Sequence, residues 1–125
     1  MSTQSIDVFI AEDDDHISQL LSMLLRREGY KVKVAHNGKH AQQFVREGRT
    51  PKLVLLDVMM PYIDGYQILE LIREKPEWND VPVIMLTAKS QEKDVVGALE
   101  KGANDYVVKP FQPGVLLSRV KKLMQ

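Results

Sequence analysis

The feature that most constrains this chain is an apolar run that ends in a carboxylate: Leu53-Val54-Leu55-Leu56-Asp57-Val58-Met59-Met60-Pro61. Four apolar residues without a break, bounded by Lys52 and Pro61, suit a strand buried on both faces of a sheet. Asp57 then stands where the strand leaves the sheet. In open parallel α/β sheets, ligands bind just beyond the carboxyl ends of the strands. A carboxylate there can equally be a turn former or a helix cap, so the decision falls to the rest of the chain.

A chain of 125 residues suits one domain, spanning 1–125, with a real core. Seventeen basic residues balance seventeen acidic ones, which leaves no electrostatic footprint for nucleic acid. The absence of cysteine excludes disulfides and thiolate metal sites. No apolar run is long enough to span a membrane. The start, Met1-Ser2-Thr3-Gln4-Ser5, is polar and lacks the apolar region of a signal peptide. The expected compartment is the cytoplasm.

Taken in order, Ile6 to Ala11 reads as a first strand, ending abruptly in Glu12-Asp13-Asp14-Asp15. Acids favour the first turn of a helix, which accounts for Asp14 or Asp15 but not for all four. Ile17, Leu20, Leu21, Leu24 and Leu25 form one helical stripe, stopped at Gly29. Tyr30 to Ala35 alternates, as expected of an edge strand. Asn37-Gly38 enters a short helix marked by Ala41, Phe44 and Val45. The central strand follows, and Asp64-Gly65 opens a third helix with Ile68, Leu69 and Ile72 inward. Trp78 reads as a partly buried anchor in a loop. Val81 to Leu86 is a fourth strand leading into Thr87-Ala88-Lys89, and Ser90 is placed to cap a fourth helix carrying Val95, Val96 and Leu99. Asp105 to Val108 is a fifth strand before Lys109-Pro110-Phe111. A last helix begins at Gln112 or Pro113, with Leu116, Val120 and Leu123 inward. Five strands alternating with five helices predict an α/β fold, a doubly wound parallel sheet with helices on both faces.

The strand ends now matter together. Glu12 and Asp13, Asp57, Thr87 and Lys109 would share one rim of the sheet. Gathered carboxylates need a counter-charge, and a hard divalent cation such as Mg2+ fits because it takes only one or two carboxylates and keeps several waters. Lys109 is a point charge suited to a phosphate oxygen, and the Thr87 hydroxyl can donate to another. A carboxylate can attack phosphorus to give an acyl phosphate. The chain has no glycine-rich phosphate loop of the nucleotide-binding kind, so the phosphoryl group would come from something other than bound ATP.

On four motifs in order, the chain resembles the receiver domain of bacterial two-component response regulators over nearly its full length. The motifs are Glu12-Asp13, Asp57-Val58-Met59-Met60-Pro61-Tyr62-Ile63-Asp64-Gly65, Thr87-Ala88 and Lys109-Pro110-Phe111. The resemblance implies a flavodoxin-like five-stranded parallel sheet in order 2-1-3-4-5. It implies that Asp57 is the phosphoacceptor, that Asp13 binds Mg2+ directly and Glu12 through water, and that the Met59 backbone carbonyl is a further ligand. Lys109 would pair with Asp57 and then with the phosphoryl group. Thr87 would move toward that group, and Tyr106 would swing inward behind it. The Lys109-Pro110 bond would be cis. Met59 and Lys89 occupy positions that tune loss of the phosphoryl group in the family, and they also suit ordinary exposed side chains. His16, His36 and His40 lack metal-ligand spacing; His16 reads as solvated.

The resemblance implies a signalling switch that takes a phosphoryl group from a histidine kinase or a histidine phosphotransfer protein. Its output surface would be the fourth helix, fifth strand and fifth helix, where a homodimer could also form. Such a domain catalyses only its own phosphorylation and dephosphorylation and is not otherwise an enzyme. Two alternatives stand beside this one. An aspartyl phosphatase commonly has a second aspartate two residues after the nucleophile, where this chain has Met59. A degenerate binding module would have lost part of the set Asp13, Asp57, Thr87 and Lys109, all present here. The downstream effector is not legible. The chain ends with its last helix, which fits both a single-domain regulator and the receiver of a longer protein.

Overall fold

The computed structural model describes residues 5–125; the polar residues before Ser5 lie outside the described residues. The elements are β1 (Val8–Ala11), α1 (Asp15–Arg27), β2 (Val32–Ala35), α2 (Gly38–Glu47), β3 (Leu53–Asp57), α3 (Gly65–Glu74), β4 (Val83–Ala88), α4 (Glu92–Glu100), β5 (Asp105–Lys109) and α5 (Pro113–Met124). All strand pairs are parallel and the sheet order is β2-β1-β3-β4-β5, as the resemblance implied.

Strand residues alternate between two cores. Phe9, Val54, Leu56 and Met85 point to the face covered by α2, α3 and α4. Ile10, Leu55, Ile84 and Leu86 point to the face covered by α1 and α5. Both faces being dry, β3 is buried at every position, which is why its sequence shows no alternation. β2 lies at the edge and is only half-buried, as its alternation predicted.

Local chemistry sets the helix starts. Asp14, Asn37 and Asp64 each accept a backbone N–H three residues on, from Ile17, His40 and Gln67. Asp64 and Gln67 close a full capping box. Gly29 (φ 92°) and Gly102 (φ 118°) occupy the left-handed region that a residue with a Cβ resists, and they end α1 and α4.

Several expectations need correction. The regular strands β1, β2 and β4 start later than Ile6, Tyr30 and Val81. Tyr30 N–H still bonds back to Leu25 at the end of α1, Val81 N–H closes a turn onto Trp78, and Pro82 has no N–H to give. β4 and β5 run further, to Ala88 and Lys109. Ser90 does not cap α4; it sits inside a 3-10 turn, Lys89–Gln91, and α4 has no side-chain cap. Val96 is exposed, and Leu123 is only half-buried. Trp78 is fully buried, edge-on to Phe9 and Phe44 with ring centroids 6.1 and 5.9 Å away. A loop position concealed this, because the loop folds back under the sheet face between α2 and α3.

Candidate functional site

The parallel register brings the strand ends level. Ala11 pairs with Leu56, so Glu12 and Asp57 follow side by side on β1 and β3. Asp57 pairs with Leu86, Thr87 with Val108 and Ala88 with Lys109. Carboxylates, hydroxyl and ammonium thus stand in a row across four strands, although they are far apart in sequence.

Glu12, Asp13 and Asp57 each offer a carboxylate oxygen, and the three oxygens lie within 4.8 Å of one another. Glu12 and Asp57 are buried, whereas Asp13 is exposed and open to solvent. Lys109 reaches in from the end of β5. Its Nζ donates to Asp57 Oδ1 at 3.0 Å and lies 2.7 Å from Glu12 Oε1, an ion contact outside hydrogen-bond geometry. Two backbone amides also approach: Met59 N–H donates to Asp57 Oδ1 at 3.3 Å and Asp14 N–H to Glu12 Oε2 at 3.2 Å.

This crowding shows in the acidities. Burial, then the hydrogen-bonding and charge of Glu12, push the Asp57 carboxyl up to about 8, against the opposing pull of Lys109. Burial works to lower the Lys109 ammonium, but Glu12 and Asp57 outweigh it and hold the ammonium above its ordinary value. Negative charge here is therefore under-compensated by one lysine. Oxygen donors of this number and kind fit a hard divalent cation. Among the described residues, Glu12, Asp13 and Asp57 are the side chains grouped so that they could hold one.

The remaining candidates lie close by but are otherwise engaged. Thr87 is fully buried and its hydroxyl donates to the Ala88 carbonyl at 3.2 Å. Tyr106 is half-buried and its hydroxyl donates to Glu92 Oε2 at 2.7 Å. Met59 and Lys89 are exposed on the rim, Met59 at 58%. His16 is exposed, as expected. The Lys109–Pro110 bond is cis. A groove of about 570 Å³ beside Tyr66, Glu70 and Arg73 contains none of these residues. Sequence reasoning missed Glu92 as the partner of Tyr106. It also missed Arg73, whose guanidinium bonds the carbonyls of Asn79, Val81 and Gly102 and the Asn104 side chain. Neither carries a motif that would single it out.

A family model for the response regulator receiver domain matches residues 8–121. The transcriptional regulatory protein SrrA of Staphylococcus aureus (strain NCTC 8325 / PS 47) is 40% identical over 121 residues, which is 97% of this chain and 48% of that protein. The chain thus spans about half the length of the curated relative it matches. A putative response regulator from Chloroflexus aurantiacus J-10-fl superposes with a TM-score of 0.86 at 36% identity, covering 97% of this chain and 98% of that one. The receiver domain of the sensor histidine kinase PA1611 from Pseudomonas aeruginosa PAO1, solved with a magnesium ion coordinated in its active site cleft, gives 0.85 at 27% identity. It covers 97% of this chain and 98% of that domain. With the family match spanning every strand of the sheet, and a relative and a solved structure similar over nearly the full chain, this chain belongs to the response regulator receiver domains of two-component systems.

Proposed function

We propose that this domain is a phosphorylation-operated switch in which Asp57 accepts a phosphoryl group from a histidine kinase or a histidine phosphotransfer protein. The observation that carries the reading is the cluster of Glu12, Asp13 and Asp57 oxygens with Lys109 bonded to Asp57. In the transfer, an Asp57 oxygen bonds to phosphorus as the bond from phosphorus to the donor's imidazole nitrogen breaks. The electron pair stays on the imidazole, which then takes a proton from water. Phosphoryl transfer is mainly positioning and charge neutralisation. Lys109 meets the charge arriving on one oxygen, and the Thr87 hydroxyl would leave the Ala88 carbonyl it donates to to meet a second.

Glu12, Asp13 and Asp57, with the Met59 carbonyl, would hold Mg2+. The ion, when bound, would neutralise carboxylate and phosphoryl charge. The magnesium in the PA1611 receiver domain supports this choice of ion. The phosphoryl group adds about −1.5 to −2 charge at one rim. Thr87 and Tyr106 respond to it, biasing the surface of α4, β5 and α5 between two states. That surface would engage an effector or a second copy, with neither nucleic acid nor membrane bound by this domain itself. Its only catalysis would be its own phosphorylation and dephosphorylation. Among the described residues no helix is long and apolar enough to cross a membrane, and the cytoplasm is the compartment we propose.

Intact mass after incubation with acetyl phosphate and Mg2+ tests the reading, for wild type and Asp57→Asn. One phosphoryl group gained by wild type alone, dependent on Mg2+ and removed by hydroxylamine, is the expected result. Steady release of inorganic phosphate without a stable adduct would favour an aspartyl phosphatase, and no reaction from any donor would leave a binding module.

A further inference from the structure

We infer that α4 is a lever, hinged at its C-terminal end by Arg73 and latched at its N-terminal end by the hydrogen bond from Tyr106 to Glu92. The inference builds on the switch reading above, but its test needs no phosphoryl group.

The two ends of α4 are held very differently. At the C-terminal end, the Gly102 carbonyl accepts from two nitrogens of Arg73, at 3.0 and 2.6 Å. The same guanidinium bonds Val81 O at 2.7 Å, Asn79 O at 3.1 Å and Asn104 Oδ1 at 3.0 Å. Asn104 Oδ1 in turn accepts from Val83 N at 2.8 Å, which ties the joint to β4. Hydrogen bonds from a charged, planar donor are stronger and more directional than neutral ones. Gly102 adds a steric reason for its identity: a Cβ there would press against Arg73 Nε at 3.0 Å, on a backbone with φ 118°. The last turn of α4 is therefore fixed at once to α3, to the loop before β4 and to the start of β5.

At the N-terminal end, α4 follows the 3-10 turn Lys89–Gln91, and Gln91 supplies no side-chain cap. Val95 and Ala98 are the only buried residues of the helix, and Val96 is 46% exposed. Besides the burial of Val95, what ties the first turn to the sheet is Glu92, whose Oε2 accepts the Tyr106 hydroxyl at 2.7 Å. Tyr106 stands on β5 opposite Met85, one position before the pair Leu86–Val107 and two before Thr87–Val108. An inward swing of the Tyr106 ring cannot keep this bond. It frees the first turn while leaving Arg73 on Gly102, so α4 tilts about its far end instead of sliding. Glu92 is thus a positioning residue: it sets where Tyr106 rests and how firmly the helix is held.

Amide hydrogen exchange on the unphosphorylated chain separates the two ends. Val95, Val96 and Gly97 donate to carbonyls in and just before the first turn, whereas Lys101, Gly102 and Ala103 bond to Ala98 and Leu99 at the hinge. Glu92→Ala and Tyr106→Phe should each speed exchange of the first group by about five- to tenfold, as loss of one partly exposed hydrogen bond to a carboxylate implies. The second group should not change. The double variant should match either single one, because both remove the same bond. Unchanged exchange in the single variants, additive effects in the double one, or equal acceleration along the whole helix would each overturn the lever. Failure of Asp57 to take up a phosphoryl group would sink the switch reading and leave these exchange results standing.

Discussion

Lys109 Nζ donates to Asp57 Oδ1 at 3.0 Å across 52 residues of sequence, and so joins the last strand of the sheet to its central one. The same ammonium faces Glu12, which makes it, among the described residues, the side-chain cation in contact with two buried carboxylates. Removing a charge from this group should have opposite effects on stability depending on its sign. Asp57→Asn, without Mg2+, should raise stability at neutral pH by about 1 kcal/mol, near 4 °C in Tm, because it removes a group that is ionised in the unfolded chain but held protonated by burial and by Glu12 in the folded one. Lys109→Met should lower it by roughly 2 kcal/mol, since the carboxylates are then left without a partner. Thermal unfolding of both variants in chelator checks this. A lowered Tm for Asp57→Asn would mean that the carboxylate is a structural asset.

The pH dependence follows from the same crowding. Asp57 rises from 3.8 to about 8 in the folded chain. Between those values the folded state holds more proton than the unfolded one, so this group's contribution is complete below about 4 and is lost as pH rises toward 8. The stability difference between wild type and Asp57→Asn should therefore widen over that window in chelator, with wild type the less stable. Mg2+ requires the ionised carboxylate. Its binding at pH 7 should release protons, and its affinity should grow as pH rises to about 8. Calorimetry in two buffers of different ionisation enthalpy reads the release. A binding heat independent of buffer would show Asp57 already ionised.

How much of this could be read from the sequence depends on the range of the interaction. The gathering of the strand ends was legible because each end carries its polar residue locally, as in Leu56-Asp57 and Leu86-Thr87, and a parallel sheet lines such ends up; the strand order itself came only from the family resemblance. Helix caps at Asp14, Asn37 and Asp64 were equally local. Ser90 misled because its hydroxyl suits a cap while the backbone there takes a 3-10 turn. Trp78, Arg73 and Glu92 were opaque because their partners are distant: Phe9, Gly102 and Tyr106. No periodicity or composition reports a contact of that kind.

Trp78 offers a measure of that hidden core. It is fully buried against Phe9 and Phe44, and its indole N–H has no hydrogen-bond partner among the described residues. Trp78→Ala should cost about 3–5 kcal/mol through the cavity it leaves. Trp78→Phe should cost less, about 1–2 kcal/mol, because volume is lost but no protein hydrogen bond is. Urea unfolding followed by circular dichroism gives both values. Equal costs would show that the indole N–H has a partner that its surroundings conceal.

Two glycine-to-alanine changes should act in opposite directions. Gly65 begins α3 directly behind the acceptor strand, and a Cβ there would collide with the Asp57 carbonyl oxygen and crowd Val58 Cα at 3.0 Å. Its N–H also bonds the Val58 carbonyl at 2.9 Å, so the contact is backbone to backbone and no side chain can yield. Gly65→Ala should cost about 1–3 kcal/mol by overpacking. Because the displaced segment carries Asp57 and Met59, it should also weaken Mg2+ binding by roughly tenfold, the effect of a misplaced ligand support. Gly97, inside α4, is open: a methyl group added to its Cα would meet nothing within 4 Å. Gly97→Ala should stabilise by about 0.5–1 kcal/mol through helix propensity alone and leave Mg2+ affinity unchanged. Denaturation and Mg2+ titration of the two variants side by side decide the matter. Unaltered Mg2+ affinity in Gly65→Ala would show that the loop after Asp57 absorbs the methyl without moving its ligands.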